Sequence, residues 1–355
     1  MCRLRFLFNL SIVLTILVLL FYLFTIYDND NSKSQLRLFK AENVEPMEKA
    51  IKLDNDYNLW LIFTKVIDKS PLMYNFNNLL NNLMNVSSVP LNFHIIVDEH
   101  SRILAQSEIN KIINATSINV QYTFYDIQTL AASIQDIVNA MTPFFSSRPG
   151  TYYSDALFYL SLGLHRIAKT QNRAIILDCD LHFKEDVLLL FKEFDNFGNG
   201  TLFGLAPELS PVYRHILYSF KQKHNSTFGD FYHDKEVKAG EPHPKGFQGY
   251  NSGVILFNLS AIRKSEAYRE IIKKESVSAM VEKFKFRGHL GDQDFYTLVG
   301  YERPEMIHTL NCGFNRQLCT WWRDRGGYND IFNDYFKCKH KIVVLHGNCN
   351  TRILK

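Results

Sequence analysis

Two carboxylates one residue apart can share a hard divalent cation, and this chain offers the Asp-x-Asp form of that spacing four times: Asp28/Asp30, Asp54/Asp56, Asp178/Asp180 and Asp292/Asp294. The first two pairs sit in a polar, Asn- and Ser-rich stretch and read as solvated charges. The third differs, because the apolar run Arg173-Ala-Ile-Ile-Leu177 leads straight into Asp178-Cys179-Asp180. A strand that ends in two acids places them at the carboxyl edge of a parallel sheet, where open α/β folds bind their ligands. A Mg²⁺ or Mn²⁺ ion held there could grip a diphosphate. The competing reading is that an Asp at a strand end caps the next helix.

Three further segments carry candidate chemistry. Phe247-Gln-Gly-Tyr-Asn-Ser-Gly-Val-Ile-Leu-Phe-Asn258 joins a glycine-bearing turn to a buried strand. Leu290-Gly-Asp-Gln-Asp-Phe295 opens an apolar helix, and Ile342-Val-Val-Leu345 delivers His346-Gly347-Asn348. Taken singly they read as ordinary turn chemistry, an acidic first helical turn and a satisfied histidine.

The elements that must position these residues alternate. Short apolar strands are expected at Leu59–Phe63, Phe93–Val97, Asn119–Phe124, Arg173–Leu177, Thr201–Ala206 and Gly253–Asn258. Helices are expected around Leu79–Met84, Leu130–Met141, Ser154–Lys169, Asp186–Phe194 and Pro211–Gln222, with a long loop over 223–249. Strands alternating with helices imply βαβ units and a mainly parallel sheet covered on both faces. No internal repeat, G-x-G-x-x-G turn or P-loop is present, which argues against a solenoid, a dinucleotide dehydrogenase or a P-loop kinase.

Composition sets the class. The 355 residues are 46% hydrophobic and 21% charged, which excludes collagenous, coiled-coil and wholly disordered chains. Lys and Arg number 40 against 36 acids, and a net +4 over this length gives no case for nucleic-acid binding. Residues 1–5 read as a cytoplasmic tail. Phe6 to Ile26 runs uncharged for 21 residues, after Arg3 and Arg5 and before Asp28 and Asp30. That is long enough to span a bilayer, and the charges orient residues 57–355 away from the cytoplasm as a single-pass type II protein with a stem over 27–56. A cleaved secretory signal is the alternative, and both place the body in a lumen or outside the cell. Cys312, Cys319, Cys338 and Cys349 then read as two disulfides with three possible pairings; zinc is the lesser alternative, since no C-x-x-C spacing occurs. Asn85, Asn114, Asn199 and Asn225 stand in sequons suited to surface loops.

In this chain order the set resembles the family-eight glycosyltransferases, retaining enzymes of the GT-A fold, over about residues 57–355. The resemblance rests on the Asp-x-Asp after a strand, the Asn-Ser-Gly strand, the Asp-Gln-Asp and the terminal His-Gly. The anchor, the wording Asp178-Cys-Asp-Leu-His-Phe183 and the four late cysteines look most like the members that use UDP-xylose to extend O-glucose xylosides on EGF-like repeats. Those members sit in the endoplasmic reticulum membrane, with the Golgi as the alternative address. The resemblance implies that Asp178, Asp180 and His346 coordinate Mn²⁺, with Mg²⁺ as the alternative. It implies that Phe63, Thr64 and Lys65 hold the uridine and that Cys179 lends backbone contacts to the nucleotide sugar. Ser252, Leu290 and Gln293 would line the donor sugar, and Asn348 would lie near diphosphate or acceptor. It also implies the pairing Cys312–Cys338 with Cys319–Cys349. Oligomeric state stays open, a homodimer being one option. One departure stands out. The family's His-x-x-Gly-x-x-Lys ending is replaced by His346-Gly-Asn-Cys-Asn-Thr, so Arg352, Lys355 or another cation is expected to stand in for the diphosphate-binding lysine.

A glycosyl transition state is oxocarbenium-like while the departing UDP gathers negative charge, and a divalent ion answers that charge. A double displacement would need a nucleophile on the β face, where the family offers a glutamine, here Gln293. Front-face attack on an ion pair is therefore expected, with Asp292 and Asp294 orienting hydroxyls or side chains. The rivals are a sister transferase using UDP-galactose, UDP-glucose or UDP-glucuronic acid, a metal-dependent phosphodiesterase, and a non-catalytic lumenal sugar-binding protein.

Overall fold

The computed structural model describes residues 57–114, 116–146, 156–224 and 247–353. The expected anchor over 6–26, the stem over 27–56, most of the 223–249 loop, Asn225 and Lys355 lie outside these residues. Among the described residues, no helix is long and apolar enough to cross a membrane.

Among the described residues, ten strands form two sheets: β1 (Asn58–Phe63), β2 (Leu91–Val97), β3 (Val120–Asp126), β4 (Arg173–Leu177), β5 (Leu181–Phe183), β6 (Phe203–Pro207), β7 (Tyr250–Asn258), β8 (Ile307–Thr309), β9 (Arg316–Gln317) and β10 (Val344–His346). The main sheet runs β3-β2-β1-β4-β7-β6-β8 and the small one β5-β10-β9. Strands β3, β2, β1 and β4 are parallel, as are β6 and β8, while β7 runs antiparallel to both its neighbours. The result is a mixed, mostly parallel sheet in a GT-A-like α/β fold.

Near-continuous apolar strands are what burial on both faces demands, and alternation along each strand divides its side chains between two cores. Trp60, Ala174, Ile176, Ile255 and Phe257 enter one core. Leu59, Leu61, Phe63, Ile175, Leu177, Val254 and Leu256 enter the other. At roughly 1.5–3 kcal/mol for each large aliphatic or aromatic side chain removed from water, these strands supply much of the folding drive. On the second face packs the helix Pro71–Val86, started by Pro71 in its first turn and by Ser70, whose hydroxyl accepts from Met73 N.

Two expected helices are shorter than their periodicity suggests. The pattern over Leu130–Met141 divides into helices Ile127–Ser133 and Gln135–Phe145, broken at Ile134. The pattern over Ser154–Lys169 is, where described, a 3₁₀ turn at Leu160–Gly163 followed by a short helix at Leu164–Ile167. The two breaks lie against each other. Ile134 lies so close to Gly163 that a Cβ there would come within 2.2 Å of Ile134 Cγ2. Similarly, Asp186–Phe194 yields only the helix Leu188–Lys192 before tightening to 3₁₀.

The cysteines pair as Cys312–Cys338 and Cys319–Cys349, spanning 26 and 30 residues, and Cys179 stays free and buried. Loops of this size restrict the unfolded chain by about 3–4 kcal/mol each in the chain-entropy model. Both bridges brace the segment that carries β9 and β10. Replacing Cys312 and Cys338 together by Ser should therefore lower the melting temperature by several degrees. A melt unchanged from wild type would show that this bridge does not hold the segment.

Candidate active site

Asp178, Asp180 and His346 meet because two sheets meet. Strand β4 ends at Leu177, and Asp178 donates its N–H to Gly253 O of β7 at 2.9 Å. Three residues after Asp178, β5 begins and pairs antiparallel with β10, with His346 opposite Leu181. Gly347 N–H then closes on Asp180 O at 2.8 Å. Since Asp180 leads into a strand, it has no helix to cap, and that alternative falls away.

His346 is buried, and its Nε2 lies 3.3 Å from Asp180 Oδ1 and 3.6 Å from Asp178 Oδ2. One ligand atom from each of the three residues lies within 4.8 Å of the others, a set that can hold a divalent cation. Mutual electrostatics fit the same role. Burial opposes a charged imidazole, yet the hydrogen bond and charge of Asp180, with Asp178 behind it, raise the His346 pKa. Burial also opposes the Asp180 charge, but His346 outweighs it and lowers that carboxyl.

Other expected residues are placed as follows. Phe63 is fully buried and stacks on Phe76 at 4.1 Å, so only its backbone can face a ligand. Thr64 follows it, also buried. Lys65 is exposed at a φ of 55°, with its N–H bound to the Asp98 carboxylate. Cys179 is buried with its thiol on Ile62 O, and burial beside Asp178 and Asp180 pushes its pKa far up, which leaves it no thiolate chemistry. Asn348 spends its carbonyl on the N–H groups of Leu318 and Cys319, both at 3.0 Å, so it braces the chain beside a disulfide. Ser252 donates its N–H to Gln293 Oε1 at 3.1 Å, and the Asp292 carboxylate accepts from the Ser161 hydroxyl. Leu290, half-buried, turns its N–H to Asp294 at 2.6 Å.

Two adjoining cavities of about 330 and 510 Å³ open on this cluster and share Pro71, Asn75, Cys179, Asp180 and Asn350. Lys65 and Asp178 line the larger, Gly347 and Arg352 the smaller. Together they give a groove lined by the acids Asp178 and Asp180 and by the cations Lys65 and Arg352. Such a groove suits a nucleoside diphosphate bridged by a metal.

Sequence reasoning missed Glu208 and Asn315 and assigned no role to Asn251. The signal for Glu208 was the one used for Asp178: an acid directly after a strand, here Phe203–Pro207. Asn315 had none.

The helix Asp292–Glu302 carries a second acidic pair, Asp292 and Asp294. Asp294 is fully buried, and burial raises its carboxyl to about 7, against donation from Leu290 N–H and Tyr213 Oη and with the charge of Asp292 adding to the rise. In the unfolded chain it ionises near the ordinary value of about 4. Between about pH 4 and 7 the native state thus holds the extra proton, and stability falls as pH rises through that window. Asp294→Asn should flatten this slope, changing the wild-type minus variant unfolding free energy by on the order of 2–4 kcal/mol between pH 4 and 7. Parallel urea curves for the two proteins at both pH values would rule this out.

Comparison with known proteins agrees with the geometry. The pattern of the glycosyl transferase family 8 matches residues 49–346. The chain is 40% identical to xyloside xylosyltransferase 1 of mouse over 313 residues, 86% of this chain and 77% of that protein. It is likewise 40% identical to the human xyloside xylosyltransferase 1 over 304 residues, 84% of this chain and 75% of that protein. The apo crystal structure of the mouse enzyme superposes with a TM-score of 0.75, covering 84% of this chain and 99% of that one.

Proposed function

Because the chain belongs to glycosyl transferase family 8, we propose that it transfers xylose from UDP-xylose, with retention, in α-1,3 linkage to the xylose of an O-glucose xyloside on EGF-like repeats. The observation that carries this reading is the 40% identity to xyloside xylosyltransferase 1, spread over 86% of the chain. The same reading puts the segment 6–26 in the endoplasmic reticulum membrane and the body in the lumen.

Asp178, Asp180 and His346 would hold the cation, and two carboxylates with one imidazole suit Mn²⁺ better than Mg²⁺, which favours oxygen alone. When bound, the metal supplies charge stabilisation to the departing diphosphate. Arg352, which lines the smaller cavity, takes the place of the family's missing lysine on that diphosphate, and Lys65 faces the nucleotide from the larger. Gln293 does not serve as a nucleophile. Its carbonyl oxygen is committed to Ser252 N–H and its amide nitrogen to a carboxylate, so it orients the sugar instead. Retention then follows from attack on the face the diphosphate leaves, with a diphosphate oxygen taking the acceptor's proton.

The test is a donor panel on an EGF-like repeat bearing xylosyl-glucose, in Mn²⁺. UDP-xylose should be turned over at least ~10²-fold faster than UDP-glucose, UDP-galactose or UDP-glucuronic acid. A faster rate with any of these would move the enzyme to a sister activity, and no UDP release with any donor would favour a sugar-binding protein.

A further inference from the structure

A buried file of polar side chains runs from the metal cluster to a carboxylate that the mechanism leaves unused. His346, Asn315, Asn251 and Glu208 are each 6% exposed or less. His346 Nδ1 faces Asn315 Oδ1 at 2.9 Å, Asn315 Nδ2 donates to Asn251 Oδ1 at 2.8 Å, and Asn251 Nδ2 donates to Glu208 Oε2 at 2.9 Å.

The direction of this file is fixed by groups that can only donate. Gly253 N–H points at Asn251 Oδ1 at 3.1 Å, so that atom is the carbonyl oxygen and the amide nitrogen must face Glu208. The Asn315 atom against the same oxygen must then be its nitrogen. Its own carbonyl is left for His346, whose Nδ1 must carry a proton. Ser252 N–H fixes the Gln293 amide in the same way and turns its nitrogen to Glu208 Oε2 at 3.3 Å. With Ser210 N–H on Oε1 at 2.9 Å, Glu208 receives three donors and gives none, the pattern of an ionised carboxylate.

We infer that Glu208 is a positioning residue: through Asn251 and Asn315 it fixes the His346 tautomer with the Nε2 lone pair toward the cation site, and by its third bond it holds the Gln293 amide. The inference rests on reading Asp178, Asp180 and His346 as a metal site. An outer carboxylate that orients a metal histidine ordinarily acts by direct contact. Here the charge sits two amides away, and the amides transmit its polarity.

Glu208→Gln tests this with nearly unchanged shape. Whichever way the new amide turns, a donor faces a donor. Gly253 N–H bars Asn251 from flipping, so the mismatch is relieved only by displacing Asn251 or Ser210, and the file behind His346 loses its anchor. Free Mn²⁺ followed by electron paramagnetic resonance should show a 10–100-fold loss of affinity. Adding Asn251→Asp restores every donor–acceptor match between residue 208 and His346, so the double variant should recover most of that affinity. Its Gln293 contact stays broken, so turnover stays low. In the Mg²⁺-loaded wild type, the ¹⁵N shifts of the His346 ring should place the proton on Nδ1, a readout that needs no variant to fold.

Wild-type Mn²⁺ affinity in Glu208→Gln, no recovery in the double variant, or a proton on Nε2 would each overturn the inference. If Asp180→Asn also binds Mn²⁺ like wild type, the metal reading itself fails and takes the inference with it. If Asp180→Asn loses Mn²⁺ while Glu208→Gln keeps it, only the inference fails.

Discussion

Asp180→Asn and His346→Ala should each abolish Mn²⁺ uptake and reduce UDP-xylose turnover by ~10³-fold or more, from positions 166 residues apart in the chain. The two share a phenotype because they face one another across 3.3 Å at one cation site. Asn at 180 keeps the shape and removes the charge. Asp180 O, not its side chain, carries the Gly347 hydrogen bond, so the β5–β10 junction survives the change. Ala at 346 costs more. It strands the buried Asn315 carbonyl without its donor, at about 1–3 kcal/mol, so this variant melts several degrees lower while Asp180→Asn does not. Turnover, Mn²⁺ binding and thermal melting on the purified proteins separate these effects. Near-wild-type turnover in folded Asp180→Asn would remove the metal assignment and the functional reading with it.

The parts of the site that were legible in the sequence share one property: each is announced by its own local element. Asp178 and Asp180 follow five residues of apolar strand, His346 closes another, and Gln293 opens an apolar helix, so hydrophobic patterning alone brings them to sheet edges and a helix start. That Asp178, Asp180 and His346 converge on one another came from their order along the chain and its likeness to a family. Glu208, Asn251 and Asn315 were not legible as a unit, because their partnership is set by register. Glu208 and Asn251 meet only because β6 lies antiparallel to β7, with Ala206 opposite Asn251 past a register shift after Leu205. Asn315 reaches them from a 3₁₀ turn, Cys312–Asn315, that has no hydrophobic period to reveal it. The broken helices were missed for a related reason. Periodicity reports which face is buried and does not report where along that face a helix breaks, as at Ile134 and before Leu164.

A second large effect is expected from one methyl group. In Gly253→Ala the new Cβ would stand 2.3 Å from His346 Cε1, 2.8 Å from its Nδ1 and 3.0 Å from Asp178 Oδ2. Something must move, and the glycine cannot. It lies in β7, the strand between β4 and β6 in the main sheet, where its carbonyl accepts from Asp178 N–H and its N–H is bound to Asn251. The imidazole is the softer partner, but it is buried, with Asn315 on one nitrogen and the two carboxylates on the other. Any rotation that clears the methyl breaks one of those contacts and turns Nε2 off the cation site. Overpacking of this kind costs about 1–3 kcal/mol of stability, so the protein still folds. The catalytic loss is expected to be far larger, ~10²-fold or more in both Mn²⁺ affinity and turnover, because a ligand displaced by about an ångström no longer meets the other two. Ser252→Ala, one residue away with its N–H on Gln293 unchanged, should keep wild-type Mn²⁺ affinity and serves as the control. The Asn-Ser-Gly strand therefore uses its glycine as the space that the metal histidine occupies. A Gly253→Ala protein that bound Mn²⁺ and turned over UDP-xylose like wild type would show that His346 has room to spare and that this packing does not set the site.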